Sequence, residues 1–293
     1  MTADADYAKP ASLSDALSLR AARPYATVVA GGTDVMVAVN EGRRGLDQVI
    51  DVSDVAELSG WDLDGDRVRI GAGLPLTRVA DELTGHLPAL AAAARLVGSP
   101  PIRHRATLGG NIATASPAGD TLPPMLAGDA VIEVASVRGV RRVPGEAFFL
   151  GPGRSALAPD ELVTAVHAAT ATGEAFAKTG TRQAMVISVA AAAVRIDPAR
   201  RRLGIALGSV APTPRRARTA EAFGHDALDW SGGTSPDPRW WAELGRRAAG
   251  DAAPIDDLRG TADHRLRVVA VLVARCARRA WTRHWNRQGS RPC

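Results

Sequence analysis

Two glycine pairs carry the chemistry that can be read directly from the residues. In Val28–Val39 (VVAGGTDVMVAV) an apolar run ends at Gly31-Gly32, and Thr33-Asp34 lead into a second apolar run. In Arg105–Asp129 (RATLGGNIATASPAGDTLPPMLAGD) Thr107 precedes Gly109-Gly110, and Asn111, Thr114, Ser116 and Asp120 follow. Glycine lets a chain approach a ligand closely, and successive N–H groups at such a turn form an anion-binding nest. A helix N-terminus would add its dipole. One Gly-Gly pair alone reads as an ordinary turn. Two pairs, each trailed by hydroxyl, amide or carboxylate side chains, point to a shared phosphate ligand. Asp120 reads either as an acceptor for a ligand hydroxyl or as a cap for a helix over Leu122–Leu126. Pro117, Pro123 and Pro124 keep 105–129 from being one helix, so it reads as a buried or half-buried loop wrapping a large polar ligand.

The elements that must position these residues follow from periodicity. Helices are expected over Leu13–Ala21, Thr77–Leu83, Pro88–Val97, Trp240–Gly250 and Asp263–Trp285, with another starting at Thr219–Phe223. Strands are expected at Thr27–Ala30, Gln48–Val52, Ala130–Ser136, Arg141–Pro144 and Leu162–Ala168, with a hairpin over Trp61–Gly71. Asp34–Asn40 is apolar without clear alternation, so helix and strand both stand. A composition shift at Ala169–Glu174 places a domain boundary there, dividing the chain into residues 1–170 and 171–293. Beyond it, Phe176–Gly180, Val186–Ile196 and Arg202–Val210 read as sheet, and Ser231–Pro238 as the most flexible loop.

Composition narrows the function. The 293 residues include 36 basic and 31 acidic ones, for a net charge of +5. The densest basic run starts at Arg275 and continues to Arg291 without an acid, and reads as a solvated helix face plus a frayed tail. Only Lys9 and Lys178 are lysines. Cys276 and Cys293 are too few to ligate an iron–sulfur cluster or to build a disulfide framework, in keeping with a reducing cytoplasm. Cys276 reads as a buried thiol. The acidic start MTADAD lacks a secretory pattern, and the longest apolar run, Ala184–Val194, is short of a membrane span. GxGxxG, P-loop and GxSxG patterns are absent, as is zinc-ligand spacing among the six histidines.

The pair AGGTD (Ala30–Asp34) and TLGGNIATASPAGD (Thr107–Asp120) resembles the FAD-binding subunits of the xanthine dehydrogenase and carbon monoxide dehydrogenase family of molybdenum hydroxylases. PASLSDAL, GSPPIRHRATLGGN, LAPDELV, LGSVAPTPRRA and LRGTADHRLR extend the resemblance over essentially the whole chain. It implies an α+β fold: a two-part FAD-binding domain of the vanillyl-alcohol oxidase type, then a smaller C-terminal flavoprotein domain. It implies FAD as cofactor, held by Val29, Ala30, Gly31, Gly32, Thr33 and Asp34 along the pyrophosphate. Thr107, Gly109, Gly110, Asn111, Thr114, Ser116 and Asp120 are implied for the pyrophosphate and flavin. Val163 matches an aliphatic residue near the flavin, and Lys178 a lysine near the cofactor that would stabilise an anionic reduced flavin; a surface lysine is the competing reading. Val97 stands where some relatives place an aromatic ring.

The implied function is electron transfer, with no catalytic residue and no metal on this chain. Partners would be a subunit carrying the molybdenum cofactor and one carrying two [2Fe–2S] clusters, with NAD or another acceptor downstream. The first rival is another flavoenzyme on the same fold, such as UDP-N-acetylenolpyruvoylglucosamine reductase; LGSVAPTP and LRGTADHR argue against it. The second is a basic nucleic-acid-binding module, suggested by Trp230, Trp240, Trp241, Trp281 and Trp285 near the basic end. It leaves both glycine motifs unexplained.

Overall fold

A computed structural model describes residues 6–183, 185–231 and 234–289, with side chains described to residue 286. The expected frayed tail beyond Gly289, Cys293 and part of the Ser231–Pro238 loop lie outside the described residues.

The first layer is a parallel three-stranded sheet. Its strands β1 (Asp6–Ala8), β2 (Thr27–Val29) and β3 (Gln48–Asp51) lie in the order β1-β3-β2. Helix α1 (Leu13–Ala22) crosses between β1 and β2. Ser12 caps it, its hydroxyl accepting from the Asp15 N–H. The open segment after the first glycine pair is a helix, α2 (Val35–Asn40), and none of its residues is buried.

The second sheet is antiparallel and five-stranded. The hairpin β4 (Trp61–Asp64) and β5 (Arg67–Gly71) forms as expected, and helices α3 (Leu76–Glu82), α4 (Pro88–Arg95), α5 (Pro100–Arg105), α6 (Leu108–Thr114) and α7 (Leu122–Ala127) follow. Then come β6 (Val131–Ser136), β7 (Gly139–Pro144), the short α8 (Gly145–Phe148), a ribbon of β8 (Phe149–Gly151) with β9 (Arg154–Ser155), and β10 (Leu162–Ala169). The order is β4-β5-β10-β6-β7. Val68, Ile70, Ile132, Val134 and Val166 face Leu76, Leu83, Leu90, Leu108 and Ile112 in one core. The stretch 105–129 is therefore not a loop but two short helices joined by a turn. The prolines act as starters here: Pro123 and Pro124 sit in the first turn of α7, where a missing N–H costs nothing. Helix α5 begins the same way at Pro100-Pro101, a signal the expectations passed over.

The third sheet comprises β11 (Glu174–Thr179), β12 (Ala190–Asp197), β13 (Arg202–Gly208) and β14 (Arg215–Arg216), antiparallel in that order. Helices α9 (Arg218–Ala227), α10 (Pro238–Gly250) and α11 (Ala262–Gly289) cover its outer side. Strand β12 starts four residues later than its apolar run. Its alanines are buried on both faces: Ala191 and Ala193 belong to the first core, Ala190 and Ala192 to the second. A continuous apolar run is what a strand covered on both sides requires. The late tryptophans pack in the second core, Trp241 and Trp281 at 3% and 4% exposure, with Trp230, Trp240 and Trp285 against it. Burial thus accounts for the aromatics that had suggested stacking on nucleic acid. Cys276 is buried as expected, its thiol pushed up to about 12 by burial. No described helix is long and apolar enough to cross a membrane.

Two buried arginines join the third sheet to the rest. Arg195 Nη1 donates to Ala169 O at 2.8 Å and Nη2 to Thr170 O at 3.0 Å. Arg216 Nη1 donates to Leu126 O at 3.0 Å and to Asp129 Oδ1 at 2.6 Å. Glu174 reaches back to α4, accepting the Ala89 N–H at 3.3 Å in the helix's first turn. Burial pushes the Glu174 carboxyl up to about 7, against the attraction of Arg195. A folded-state value above the unfolded one means that this contribution to stability is full below the ordinary carboxyl range and is lost as pH rises through about 7. Relative to Glu174→Gln, the wild-type chain is expected to lose on the order of 3 kcal/mol between pH 4.5 and 7. Denaturant melts of both proteins across that interval check it; parallel pH profiles would refute it.

Candidate functional site

The two glycine motifs meet. Gly31 lies so close to α5 that a Cβ there would sit 1.8 Å from Arg105 O. Any side chain at this position would push the two walls apart. Gly32 follows at φ +75°, a left-handed conformation that favours glycine. Across the gap, Thr114 Oγ1 donates to Asp34 Oδ2 at 3.3 Å. Between the walls runs a cleft of about 520 Å³. Among the described residues, the N–H groups of Gly31, Gly32 and Thr33 have no protein acceptor. Three successive residues with unused donors thus line the cleft, the arrangement an anion-binding nest requires.

The second motif is used differently. Thr107 caps α6 with its hydroxyl, accepting from the Gly110 N–H at 3.0 Å. Gly109 N donates to Ala72 O at 2.7 Å and Asn111 N to Thr107 O at 3.0 Å. These donors are therefore engaged within the fold. This motif contributes a glycine-smooth helical wall and the side chains of Asn111 and Thr114. Asn111, a lining residue, is fixed by its Oδ1 accepting from Thr121 Oγ1 at 2.6 Å.

Of the residues singled out in the sequence, Ala30, Gly31, Gly32, Thr33, Asp34, Thr107, Gly109, Gly110, Asn111, Thr114 and Val163 line the cleft, as does Val97. Val29, Ser116, Asp120 and Lys178 do not. Val29 anchors the turn, its carbonyl accepting from Val52 N at 2.8 Å. Ser116 Oγ accepts from Ala118 N at 3.3 Å and shapes the turn between α6 and α7.

Asp120 and Lys178 form a buried pair, with Nζ–Oδ2 at 2.6 Å and side-chain exposures of 8% for Lys178 and 7% for Asp120. Ser188 Oγ donates to Asp120 Oδ1 at 2.5 Å. Lys178 Nζ also donates to Leu96 O and Val186 O, at 3.0 and 3.1 Å. The lysine is thus neither a surface residue nor a free cation. Its bond to Leu96 O brings it next to the backbone that leads into Val97, a residue of the cleft wall. Burial raises the Asp120 carboxyl above its ordinary range, with Lys178 and Ser188 opposing. The late motifs hold this pair from behind. Arg265, at 1% exposure, donates from Nη1 to Val189 O and Ser209 O, each at 2.8 Å. Ser209 N in turn donates to Pro117 O at 2.9 Å. LRGTADHRLR and LGSVAPTPRRA therefore brace the α6–α7 turn from the third sheet.

Two cations on the cleft wall escaped the sequence reading. Arg44 follows α2 and has no hydrogen-bond or ion-pair partner among the described residues. Arg20 of α1 donates from Nη1 to Ala26 O at 2.7 Å, and its buried Nε has no partner. Neither lies in a glycine motif. For Arg44 the signal was the isolated GRRG after an apolar helix; Arg20 gave none.

Residues 3–168 match the family model of the FAD binding domain in molybdopterin dehydrogenase, and residues 175–280 that of the CO dehydrogenase flavoprotein C-terminal domain. This chain belongs to the FAD-binding subunits of that family. It is 39% identical over 233 residues to the xanthine dehydrogenase FAD-binding subunit of Escherichia coli O157:H7, covering 76% of this chain and 80% of that one. It is 30% identical over 280 residues to the nicotine 6-hydroxylase medium subunit of Paenarthrobacter nicotinovorans, covering 92% and 94%. A chain of the carbon monoxide dehydrogenase from Hydrogenophaga pseudoflava that lacks the Mo-pyranopterin moiety superposes with a TM-score of 0.86 at 28% identity, over 97% of this chain and 99% of that one.

Breaking a buried ion pair from one side leaves a stranded charge. Asp120→Leu is expected to destabilise the fold by about 3 kcal/mol. The double variant Asp120→Leu with Lys178→Met is expected to recover most of it. Chemical denaturation of the three proteins checks this, and an unrecovered double variant would count against the pair.

Proposed function

We propose that this cleft holds the FAD, and that the chain relays electrons within a heteromeric molybdenum hydroxylase of the cytoplasm. The carrying observation is the meeting of the two glycine motifs around one cleft with three unused N–H donors. The residues fit the cofactor. A pyrophosphate needs donors and positive charge; Gly31, Gly32 and Thr33 offer the first, and Arg44 the second. Ribose and ribityl hydroxyls need polar partners, and Asp34, Asn111 and Thr114 supply them. Aromatic ring systems need apolar walls, and Val28, Val97, Ile102, Leu162 and Val163 line the cleft. Val29 and Ser116 act by fixing the turns, and Thr107, Gly109 and Gly110 by shaping the α6 wall.

FAD, when bound, supplies a two-electron carrier that exchanges electrons singly or as a hydride equivalent. This chain's residues bind and orient it. Asp120 and Lys178 set the electrostatics beside Leu96 and Val97: the ammonium stabilises negative charge developing on that side, and Asp120, itself held by the Ser188 hydroxyl, keeps the ammonium in place. Valine at position 97 provides an apolar surface and no stacking ring. Electrons would come from the [2Fe–2S] clusters of one partner, fed by the molybdenum-cofactor subunit, and leave to NAD or another acceptor. We keep the division at 170/171 as the boundary between the cofactor domain and the C-terminal domain.

Arg44→Met is expected to weaken FAD binding about tenfold, the equivalent of about 1.4 kcal/mol, and to leave riboflavin binding unchanged because riboflavin has no phosphate. Fluorescence titration of the cofactor-stripped chain measures both; equal FAD affinities would remove Arg44 from the site. Anaerobic addition of NADH to the reconstituted chain tests the acceptor. Bleaching of the visible flavin band supports NAD, and a band bleached by dithionite alone turns the assignment to another acceptor.

A further inference from the structure

The positive charge of this protein is concentrated on one helix. Helix α11 carries seven arginines and a single aspartate, a net of six positive charges, against +5 for the whole chain. Everything outside α11 is therefore negative by one. The lone acid, Asp263, lies in the first turn. From there on, the outer face presents Arg267, Val271, Arg275, Arg278, Arg279, Thr282 and Arg283, all exposed. These positions recur at three- and four-residue spacing and so share one side, along about 24 Å of helix. A groove of about 360 Å³ on this face is lined by Arg275, Arg278, Arg279, Thr282 and Arg283.

Like charges four residues apart repel along a helix. Arg275 and Arg279 are so placed, and nothing on the face relieves them. Several exposed arginines elsewhere have carboxylates: Arg78 with Glu82, Arg200 with Asp66 and Asp197, Arg218 with Glu146, Arg246 and Arg247 with Glu243; those without one, such as Arg154 and Arg239, stand singly. Among the described residues, Arg267, Arg275, Arg278 and Arg279 have none. Their being arginine rather than lysine carries no weight, since the chain has only two lysines. What distinguishes them is their clustering: four guanidinium groups without a carboxylate on one helix, three of them lining one groove.

We propose that this face docks a carboxylate-rich surface of a partner subunit, with the arginine groove receiving acidic side chains and exposed Val271 supplying the apolar contact. The inference rests on the heteromeric reading above. A single-stranded nucleic acid fits less well: single strands are held by stacking on aromatic rings, and Trp281 and Trp285 of this helix turn into the core; a duplex, held through phosphates alone, is the alternative the test separates. Acidic protein surfaces need no stacking and are held through paired hydrogen bonds at the guanidinium groups.

The test compares arginine modification by phenylglyoxal, read by peptide mass spectrometry, in the isolated FAD-loaded chain and in its purified complex with the molybdenum and iron–sulfur subunits. Docking should slow modification of Arg275, Arg278 and Arg279 about tenfold, the factor for a contact favoured by about 1.4 kcal/mol, and leave Arg154 and Arg239 unchanged as controls. The variant Arg275→Glu/Arg278→Glu/Arg279→Glu should keep its FAD and leave the complex at low salt. Equal reactivity in the assembled complex, or a variant that assembles normally, overturns the proposal. Protection by a random-sequence DNA duplex but not by the subunits also overturns it, in favour of nucleic acid. A chain that carries FAD but assembles with neither subunit overturns the heteromeric reading itself, and this inference with it.

Discussion

The contact between the Gly31 backbone and the Arg105 carbonyl sets the width of the cleft, and most of the structure serves to keep that contact in place. On one side the parallel sheet delivers the turn, locked where Val52 donates to Val29 O. On the other, α5 and α6 are fixed to the end of β5 and the residues after it, through Leu76 N to Ala106 O and Gly109 N to Ala72 O. A Cβ at Gly31 would separate these two units. Each alone presents half a site. The unused N–H donors lie on the first unit, and the polar side chains of Asn111 and Thr114 on the second.

The C-terminal domain braces the turn between α6 and α7. Its sheet is buried on both faces, which explains the alanine run of β12: small side chains allow helices to close on both sides. From this sheet come Lys178 and, just before β12, Ser188, which together clamp Asp120. Arg265 ties the ends of β12 and β13 to the turn between α6 and α7. The cation that pairs with Asp120 thus comes from the second domain. A cofactor domain cut off at residue 170 would leave Asp120 buried without its cation.

Much of this was legible because it follows from local rules. The glycine pairs, the hairpin at Asp64-Gly65, the capped α1 and the long α11 are each specified by neighbours in sequence. The family motifs made the fold and the cofactor readable as well. What escaped depends on distance. Asp120 suggested a ligand acceptor or a cap, because its lysine lies 58 residues away. The 105–129 stretch suggested a loop, because prolines that break one helix also start the next. Arg20 and Arg44 sit on the cleft wall only because the parallel sheet brings them there. The late tryptophans suggested a surface and turned out to be core, since a helix face is set by what packs on it.

Equilibrium binding of FAD to the cofactor-stripped full-length chain and to its Gly31→Ala variant tests the central contact most directly. One FAD per chain for the wild-type protein is expected, with binding lost in a variant that remains folded by circular dichroism. A wild-type chain that takes up no FAD, or a variant that binds it equally well, would contradict the assignment of this cleft.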